Sequence, residues 1–333
     1  MRTTLKDVAR EAGVSHMTVS RVINNKEGIL QATRERVLKA VKKLDYRPNS
    51  VARSLVSMKT KLIGILVPDI DNPFFSCMVK STEHTANERD YTLMLGDTGG
   101  EIGNEKQYLD IMLGRMVEGV ILVTPRMPDT DISSYGNRIP LVVVDRKLNY
   151  TAIPHLYADN RKGAALAVEY LIMLGHRRIG FISGPGGVQD SIHRENGYRD
   201  ALARHGIQYD TRLVVRGNFL LNSGYRSFDY FLDLQEPPTA VFSSNDIMAF
   251  GLIKRARERG VRIPHDLSIV GFDNISVSAL IDPPLTTVDH PVIEMGRRAI
   301  ELLLREIASE ANDERCVRLE NTLVVRDSAV RIS

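Results

Sequence analysis

The chain has no tryptophan, only two cysteines, and few aromatic residues, which make up 6% of its 333 residues. Cys77 and Cys316 lack the short spacing of a zinc or redox motif, and the eight histidines show no metal-ligand spacing. Two isolated cysteines indicate free thiols and therefore a reducing compartment, so we expect the protein in the cytoplasm. We also expect no metal and no cofactor.

Long apolar runs are missing too. No stretch approaches the roughly 18 consecutive apolar residues that a membrane-spanning helix needs. The N-terminus also lacks the apolar run of a signal peptide. We therefore expect no membrane partner, and the length predicts about two or three domains.

The phosphate-binding motifs of nucleotide-using enzymes are absent as well. No G-x-G-x-x-G follows the first predicted strand, and no G-x-x-x-x-G-K-[ST] occurs. Residues 184–187 read Gly-Pro-Gly-Gly but lack the rest of a phosphate fingerprint, and no serine lies in a nucleophile elbow. Asp145 and Asp273 could be imagined as a catalytic pair, but nearby arginines suit binding better than proton transfer. We predict that the protein is not an enzyme, with a sugar- or nucleotide-using enzyme as the alternative.

Positive charge is concentrated at the start of the chain. Residues 1–60 hold 13 Lys and Arg against 5 Asp and Glu, a net charge of +8, whereas the whole chain carries +3. The rest of the chain therefore carries a net charge of −5. This asymmetry indicates a nucleic-acid-binding head on an acidic body.

The basic segment has the spacing of short amphipathic helices. Apolar residues recur at i, i+3, i+4 and i+7, as on one helix face, at Leu5, Val8, Ala9 and Ala12. Thr4 and Asp7 are spaced as in a capping box. Gly13 accepts the positive φ that ends a helix, and Ser15 is placed to cap the next one.

The second helix is predicted to present a polar face to a ligand. Its inner face carries Val19, Val22 and Ile23, and a third helix packs with Val37, Ala40, Val41 and Leu44. The residues left on the outer face of the second helix are His16, Met17, Thr18, Ser20 and Arg21. Two helices joined by so tight a turn form a helix-turn-helix, whose second helix enters the major groove of DNA.

Residues 5–24, with residues 33–37 and 44–49, resemble the LacI/GalR family of bacterial transcription regulators, and the resemblance continues through nearly the whole chain. It implies that His16, Met17 and Arg21 contact base edges, where arginine suits the O6 and N7 acceptors of guanine. We expect Thr18, Ser20 and Asn24 to contact phosphates, which fix register and not sequence.

Residues 47–56 form a candidate hinge. Pro48 suits the start of a helix, but the segment is too short to be a stable helix alone in water. The resemblance implies a hinge helix at about 48–56 that folds against its dimer mate on DNA. Leu55 would then wedge into the minor groove, with Ala52 and Arg53 in the same groove. The alternative is a plain linker whose Leu55 packs on the core.

From residue 62 short apolar, β-branched runs alternate with segments long enough for helices, which predicts parallel sheets covered on both faces. The runs are 62–67, 91–95, 119–123 and 141–144, followed by 178–182, 213–215, 240–243 and 268–272. Two such series predict two doubly wound lobes. Similarity to the family and to periplasmic sugar-binding proteins implies that the chain crosses between lobes near 157–160, 287–291 and 320–324, which places helix 292–307 in the first lobe.

The predicted fold is therefore an N-terminal all-α helix-turn-helix head plus an α/β core of two doubly wound lobes, as in periplasmic binding proteins. The DNA-binding domain with its hinge covers residues 1–56, a linker covers 57–61, and the effector-binding and dimerisation core covers 62–333. The predicted lobe limits are about 62–158 with 291–321 for the first lobe and about 159–288 with 323–333 for the second.

Ligands of doubly wound sheets bind beyond the carboxyl ends of the strands. The residues there are aromatic rings, which suit the C–H faces of a sugar, and carboxylates, amides and arginines, which can pair with its hydroxyls. They are Asn72, Phe74, Phe75, Asp145, Arg146, Asp190, Arg194, Phe219, Asn245, Asp273 and His290. Most match the pattern of ribose-type periplasmic binding proteins, and His290 departs from it because an amide is more usual there.

Structural roles remain as alternatives for several of these residues. Phe74 and Phe75 could belong to the core at a helix start, and Asp273 could cap the helix that follows it. Asp246 is predicted to cap a helix and is left out of the site. Nucleobase-binding members of the family tend to have another arginine where this chain has Val188, which argues against a purine effector.

Together these features predict a sequence-specific DNA-binding transcriptional regulator at the bacterial nucleoid. We expect a homodimeric repressor of carbohydrate-utilisation genes that binds a pseudo-palindromic operator. A sugar or sugar derivative would close the two lobes and alter the spacing of the two hinge segments. A nucleobase-responsive repressor of the same architecture is the alternative.

Overall fold

The computed structural model describes residues 3–23, 27–46, 59–149, 152–310 and 314–332. The chain divides into two units, Met1–Thr60 and Lys61–Ser333. The predicted phosphate contact Asn24 and the predicted hinge residues Ala52, Arg53 and Leu55 lie outside the described residues.

The described part of the first unit consists of three helices, α1 (Leu5–Ala12), α2 (His16–Ile23) and α3 (Gln31–Lys43). One buried cluster joins them, formed by Val8, Ala9, Ala12, Val19, Val22, Val37 and Ala40. The apolar spacing in the sequence predicted each of these positions, and the three-helix head is confirmed.

The predicted helix signals of the head are also confirmed. Asp7 Oδ2 accepts a hydrogen bond from the backbone nitrogen of Thr4 at 2.9 Å. Gly13 ends α1 at φ 64°, a left-handed conformation that costs glycine little. Ser15 Oγ accepts from the backbone nitrogen of Thr18 at 3.1 Å, which caps α2. These local contacts fix the turn between α1 and α2.

The second unit alternates strands and helices. In chain order its elements are β1 (Leu62–Val67), α4 (Pro73–Asn87), β2 (Thr92–Asp97), α5 (Ile102–Gly114), β3 (Gly119–Val123), α6 (Asp129–Gly136), β4 (Leu141–Val144), β5 (His155–Ala158), α7 (Asn160–Met173), β6 (Ile179–Ser183), α8 (Gln189–Arg204), β7 (Val214–Arg216), α9 (Leu221–Leu232), β8 (Ala240–Ser243), α10 (Asp246–Glu258), β9 (Ser268–Asp273), β10 (Thr286–Asp289), α11 (Val292–Ile307), β11 (Cys316–Leu319) and β12 (Thr322–Val324). Short 3₁₀ helices lie at Thr211–Leu213 and Ser276–Ala279.

In the described residues these strands form two sheets of six strands. Their orders are β11-β5-β4-β3-β1-β2 and β12-β10-β9-β8-β6-β7. All pairs are parallel except β10 with β12. Strand order reverses beside β1 in one sheet and beside β6 in the other, and such switch points are where doubly wound sheets bind ligands. The predicted two-lobed α/β core is confirmed.

The chain passes between the two sheets three times. It leaves the first sheet after β5, returns to it after β10, and leaves it again after β11. Helix α11 packs on α4, β3 and β4, all of which belong to the first sheet's lobe. The domain and lobe limits given above stay a prediction.

Each lobe buries both faces of its sheet. The strands β1, β3 and β4 of the first lobe are almost entirely buried, as their continuous apolar runs predicted. In the second lobe Phe181 stacks on Tyr198 and Phe242, with ring centroids 5.0 and 5.2 Å apart. No helix in the described parts of the chain is long and apolar enough to cross a membrane.

Candidate functional site

A cavity of about 580 Å³ opens where the carboxyl ends of strands from both sheets meet. Segments after β1, β2, β3, β4, β6, β7, β8 and β9 contribute to its wall. Ten of the eleven predicted side chains line it, namely Asn72, Phe74, Phe75, Asp145, Arg146, Asp190, Arg194, Phe219, Asn245 and Asp273. The arrangement combines aromatic faces, carboxylates and arginines in one concave site, as ligand pockets generally do.

Four residues of this wall other than glycine have left-handed backbone conformations. Their φ angles are 42° at Thr124, 58° at Asp145, 65° at Phe219 and 108° at Asp273. A positive φ is uncommon for residues with a side chain and rarest for a β-branched one such as threonine. Strain of this kind concentrates at functional sites, where the surrounding structure holds it in place.

Arg194 is the central cation of the second lobe's side of the cavity and is 4% exposed. Its Nε donates to Asn160 Oδ1 at 2.7 Å, and its Nη1 lies 3.5 Å from Asp273 Oδ1. Nη1 also donates to the backbone oxygen of Ser244. The guanidinium lies 3.8 Å from the ring centroid of Phe272, a cation–π contact in a desolvated place. Arg194 is therefore rigidly held.

Two carboxylates beside Arg194 titrate near neutrality. Burial raises the pKa of Asp273 to about 7, although Arg194 opposes the rise. Burial and the negative charge of Asp145 raise the pKa of Asp190 to about 7. Asn160 connects the group, because its Nδ2 donates to Asp190 Oδ1 at 3.0 Å while its oxygen accepts from Arg194. The sequence analysis missed Asn160, which has no signal beyond its position at the start of α7.

His290 is the predicted residue that does not line the cavity. It is 1% exposed and lies behind Asp145. A hydrogen bond of 2.9 Å joins His290 Nε2 to Asp145 Oδ1. Its ring makes edge contacts with Phe74 and Phe272, at centroid distances of 5.0 and 5.8 Å. His290 can therefore affect a cavity ligand only through residues that line the wall, such as Asp145 and Phe74.

The two groups stabilise each other's charged forms. Burial opposes the charge on both, but the attraction between them and their hydrogen bond outweigh it. The pKa of Asp145 is held below its usual range and the pKa of His290 above its own. An ionised Asp145 offers only hydrogen-bond acceptors to the cavity, so it suits a ligand hydroxyl or N–H.

Arg146 lines the cavity, but its donors are used within its own lobe. Its Nη1 donates to the backbone oxygens of Pro125 and Met127, both at 2.7 Å, and its Nη2 pairs with Asp129. Direct binding of an effector by Arg146 stays a prediction, and these bonds favour a role in shaping the loop after β3.

Several other predicted residues line the cavity and also cap a helix or pack in the core. Asn72 caps α4 by accepting from the backbone nitrogen of Phe74 at 3.0 Å, and Phe74 is 4% exposed in the first-lobe core. Asn245 Oδ1 caps α10 by accepting from the backbone nitrogen of Met248, while its Nδ2 donates to the backbone oxygen of Phe219. Phe75 and Phe219 are half-buried and present their rings at the wall.

The prediction that Asp246 caps a helix is wrong. Asn245 is the N-cap of α10, so Asp246 is the first helical residue and its carboxylate is available elsewhere. It accepts from Ser278 Oγ at 2.6 Å, Thr287 Oγ1 at 2.5 Å and the backbone nitrogen of Ile275 at 3.0 Å. Asp246 thus ties the segment after β9 to β10.

A second candidate surface lies on the head unit, on the outer face of α2. His16 and Arg21 are exposed and Met17 is 65% exposed, whereas Val19 and Val22 on the opposite face are buried. Arg21 Nη2 donates to the backbone oxygen of Glu27 at 2.9 Å. The outer face of α2 is therefore accessible to a ligand.

No cluster of three or more His, Cys, Asp or Glu residues that could hold a metal ion occurs among the described residues. The cavity's carboxylates are instead shared among arginine, histidine and asparagine partners.

Comparison with known proteins matches both units. Residues 4–49 match the family described as bacterial regulatory proteins, lacI family, and residues 168–329 match the periplasmic binding protein-like domain. The chain is 37% identical over 326 residues to the HTH-type transcriptional repressor CytR of Escherichia coli strain K12. The aligned residues cover 98% of this chain and 96% of that protein.

Solved structures agree with these matches. The lac repressor dimer bound to operator and the anti-inducer ONPF is similar with a TM-score of 0.90 and 29% identity, covering 99% of this chain and 100% of that one. A LacI family transcriptional regulator from Enterococcus faecium with bound ribose is similar with a TM-score of 0.75 and 30% identity, covering 82% of this chain and 100% of that one.

Proposed function

The chain belongs to the lacI family of bacterial regulatory proteins, and from that premise we propose that it represses carbohydrate-utilisation genes in response to a sugar or sugar derivative. It is a DNA-binding transcriptional regulator, and its relatives are repressors rather than enzymes. As such it would work in the bacterial cytoplasm, at the nucleoid. A domain from residue 1 to 56 would bind DNA and the core from residue 62 would bind the effector.

The cavity in the core is the observation that carries the effector proposal. Strand ends of both sheets bring together aromatic rings, three arginines and four carboxylates around about 580 Å³, a volume in the usual range for small-molecule sites. Each sugar hydroxyl both donates and accepts, which Asp145, Arg194 and Asp273 can satisfy. The similar Enterococcus faecium regulator holds ribose, which supports a sugar here.

The outer face of α2 supports the proposed DNA contacts. Arg21 would donate two hydrogen bonds to a guanine in the major groove, and His16 and Met17 would contact neighbouring bases. Thr18, Ser20 and Asn24 would hold phosphates. Ala52, Arg53 and Leu55 would enter the adjacent minor groove.

Effector and operator would be coupled through a dimer. Two copies would bind the half-sites of a pseudo-palindrome, and a ligand that prefers one arrangement of the lobes would shift the population toward it. The ligand changes operator affinity only to the extent that it binds the two arrangements with different affinity.

Two linked experiments test the proposal. Full-length protein is first used to select binding sites from random-sequence duplex DNA, and a pseudo-palindromic consensus is the expected result. A thermal-shift screen then covers pentoses, hexoses, sugar acids, nucleosides and nucleotides, because a ligand that binds only the folded state raises the melting temperature. Failure to select any sequence would contradict the regulator proposal, and a hit confined to nucleotides that the protein turns over would favour an enzyme.

Nucleosides belong in the screen because Phe75 and Phe219 line the cavity, and aromatic rings stack on a base as well as on a sugar. A response to nucleosides alone would replace the sugar by a nucleobase effector within the same architecture. A sugar response with no nucleoside response is what we expect.

A further inference from the structure

The loop after β3 is held in place by two charged side chains. Glu105, 3% exposed, accepts from the backbone nitrogen of Arg126 at 2.7 Å and from that of Met127 at 2.9 Å. Arg146 donates to the backbone oxygens on either side, those of Pro125 and Met127. Burying a carboxylate is costly unless it is hydrogen-bonded, so this much charge indicates a loop whose conformation matters.

The loop contributes Thr124 and Arg126 to the cavity wall. Thr124 has a φ of 42°, and its hydroxyl oxygen is buried without a hydrogen-bond partner in the described structure. Arg126 also lines the wall and is exposed. Its guanidinium lies over Gly100, where an added Cβ would be 3.4 Å from Arg126 Cζ. The glycine, at φ 67°, leaves room for the guanidinium to lie flat on the rim.

Arg126 differs from the other charged groups of the cavity in lacking a partner for its side chain. Arg194 is bonded to Asn160 and Asp273, and Asp145 is bonded to His290. No hydrogen bond or ion pair of the Arg126 guanidinium occurs within the residues that the structure describes. Asp69 is the acidic group on the same wall, and one of its oxygens accepts from the backbone nitrogen of Asp71.

The glycine-rich segment after β6 has a further cation packed on it. Gly186 and Gly187 line the cavity, and a Cβ added to Gly186 would lie 2.5 Å from Arg216 Nη1. The guanidinium of Arg216 therefore rests on the glycine-rich segment after β6 and is exposed. Arg126 and Arg216 are thus each packed on a glycine that lines the cavity.

From this geometry we propose that Arg126 forms an anion subsite, so that the effector is an acidic sugar derivative carrying a phosphate or carboxylate group. Arginine binds both groups through paired hydrogen bonds. The polyol part would face Asp145, Arg194 and Asp273 deeper in the cavity. This inference rests on the proposed function, because it names the class of ligand for the same cavity.

Inorganic phosphate is the first probe, used with the full-length protein. We expect phosphate to raise the melting temperature of the wild type and of the matched control Arg138→Gln, an exposed arginine that does not line the cavity. Arg126→Gln should lose most of that rise. An absent rise in the wild type, or an equal rise in Arg126→Gln, would overturn the subsite, because phosphate binding elsewhere affects both proteins alike.

Matched ligand pairs form the second arm. Calorimetry compares ribose with ribose 5-phosphate, and glucose with glucose 6-phosphate and gluconate. In the wild type we expect at least one acidic member to bind at least about tenfold more tightly than its neutral parent, and Arg126→Gln should remove that preference. The phosphate and gluconate results identify which anion the subsite takes. Neutral sugars that bind as tightly as every acidic derivative would contradict it.

The two levels of the proposal fail separately. If the wild type selects an operator and binds neutral sugars but shows no Arg126-dependent preference for anions, the subsite is wrong and the proposed function stands. If no DNA sequence is selected, the proposed function fails, whether or not phosphate raises the melting temperature.

Discussion

His290 Nε2 and Asp145 Oδ1 lie 2.9 Å apart in a buried pair that connects the segment after β10 with the carboxyl end of β4. These strands belong to different sheets, so the pair joins a lobe crossing to the wall of the cavity. Asp145 lines the cavity and His290 does not. The histidine therefore orients the Asp145 carboxylate and stabilises its ionised form, and that carboxylate is accessible to a ligand.

Replacing His290 by leucine should destabilise the protein by about 3–5 kcal/mol, because a buried carboxylate loses its partner. His290→Gln keeps a donor near Asp145 and should cost less. Urea denaturation measures both variants. Equal, small losses in the two variants would show that the pair does not hold the charge on Asp145.

The contribution of this pair should depend on pH at both ends. The pKa of His290 is raised above 6.5, so its stabilisation is full below that pH and is lost as the pH rises through the folded value. The pKa of Asp145 is lowered below 3.8, so its stabilisation is full above that pH and is lost as the pH falls through the folded value. The difference in unfolding free energy between wild type and His290→Gln should therefore be greatest from about pH 4 to 6.5.

Asp273 should oppose folding at neutral and alkaline pH. Because burial raises its pKa from 3.8 to about 7, the folded state holds the proton more tightly, and the associated stability is lost as the pH rises from 4 through 7. Asp273→Asn should remove up to about 4 kcal/mol of that pH dependence, at 1.36 kcal/mol per pKa unit. Denaturation at pH 4.5 and pH 8 compares the two proteins. An unchanged pH profile in the variant would refute the assignment.

Arg21→Lys separates base contact from charge. Lysine keeps the positive charge but cannot make the paired, planar contact of arginine. Specific binding to the selected operator should weaken by about 1–3 kcal/mol, with relaxed preference at one base pair and an unchanged salt dependence. Fluorescence anisotropy on the operator and its single-base variants measures this. A variant with full affinity and full base preference would place Arg21 away from the bases.

Leu55→Ala tests the proposed minor-groove wedge. Loss of the wedge should weaken specific binding and reduce DNA bending, because side chains of this kind kink the duplex by partly unstacking a base step. Ser54→Ala is the neighbouring control. Circular-permutation gel assays report the bend, and bending equal to the wild type in Leu55→Ala would support a plain linker.

How far the sequence determined the fold depends on the element. Continuous apolar strands such as β1 and β8 were predictable because burial on both faces requires apolar residues throughout. Strands β11 and β12 were missed because they are short, lie at sheet edges and mix polar with apolar residues. Their pairing depends on distant strands rather than on local pattern.

The candidate site divides in a similar way. Chain position after a strand predicted ten lining residues, since topology alone brings the strand ends together. Chain position after a strand could not predict which way each side chain points. Arg146 donates to the backbone of its own lobe. Arg126, which no motif marks, offers a guanidinium that has no hydrogen-bond partner among the described residues. Asn160, at the start of α7, is hydrogen-bonded to both Arg194 and Asp190. Only the tertiary structure reveals this connection.

The central claim is that a ligand in the core cavity controls the DNA-binding head. The direct test is operator affinity, measured by anisotropy with and without the effector found in the screen, in the wild type and in Arg194→Lys. The effector should change the operator Kd of the wild type by roughly 5- to 150-fold, the range usual for allosteric coupling. Arg194→Lys should show no change at the same effector concentration, because lysine cannot replace the bonds to Asn160 and Asp273 together. A ligand that binds the wild type yet leaves operator affinity unchanged would contradict the claim.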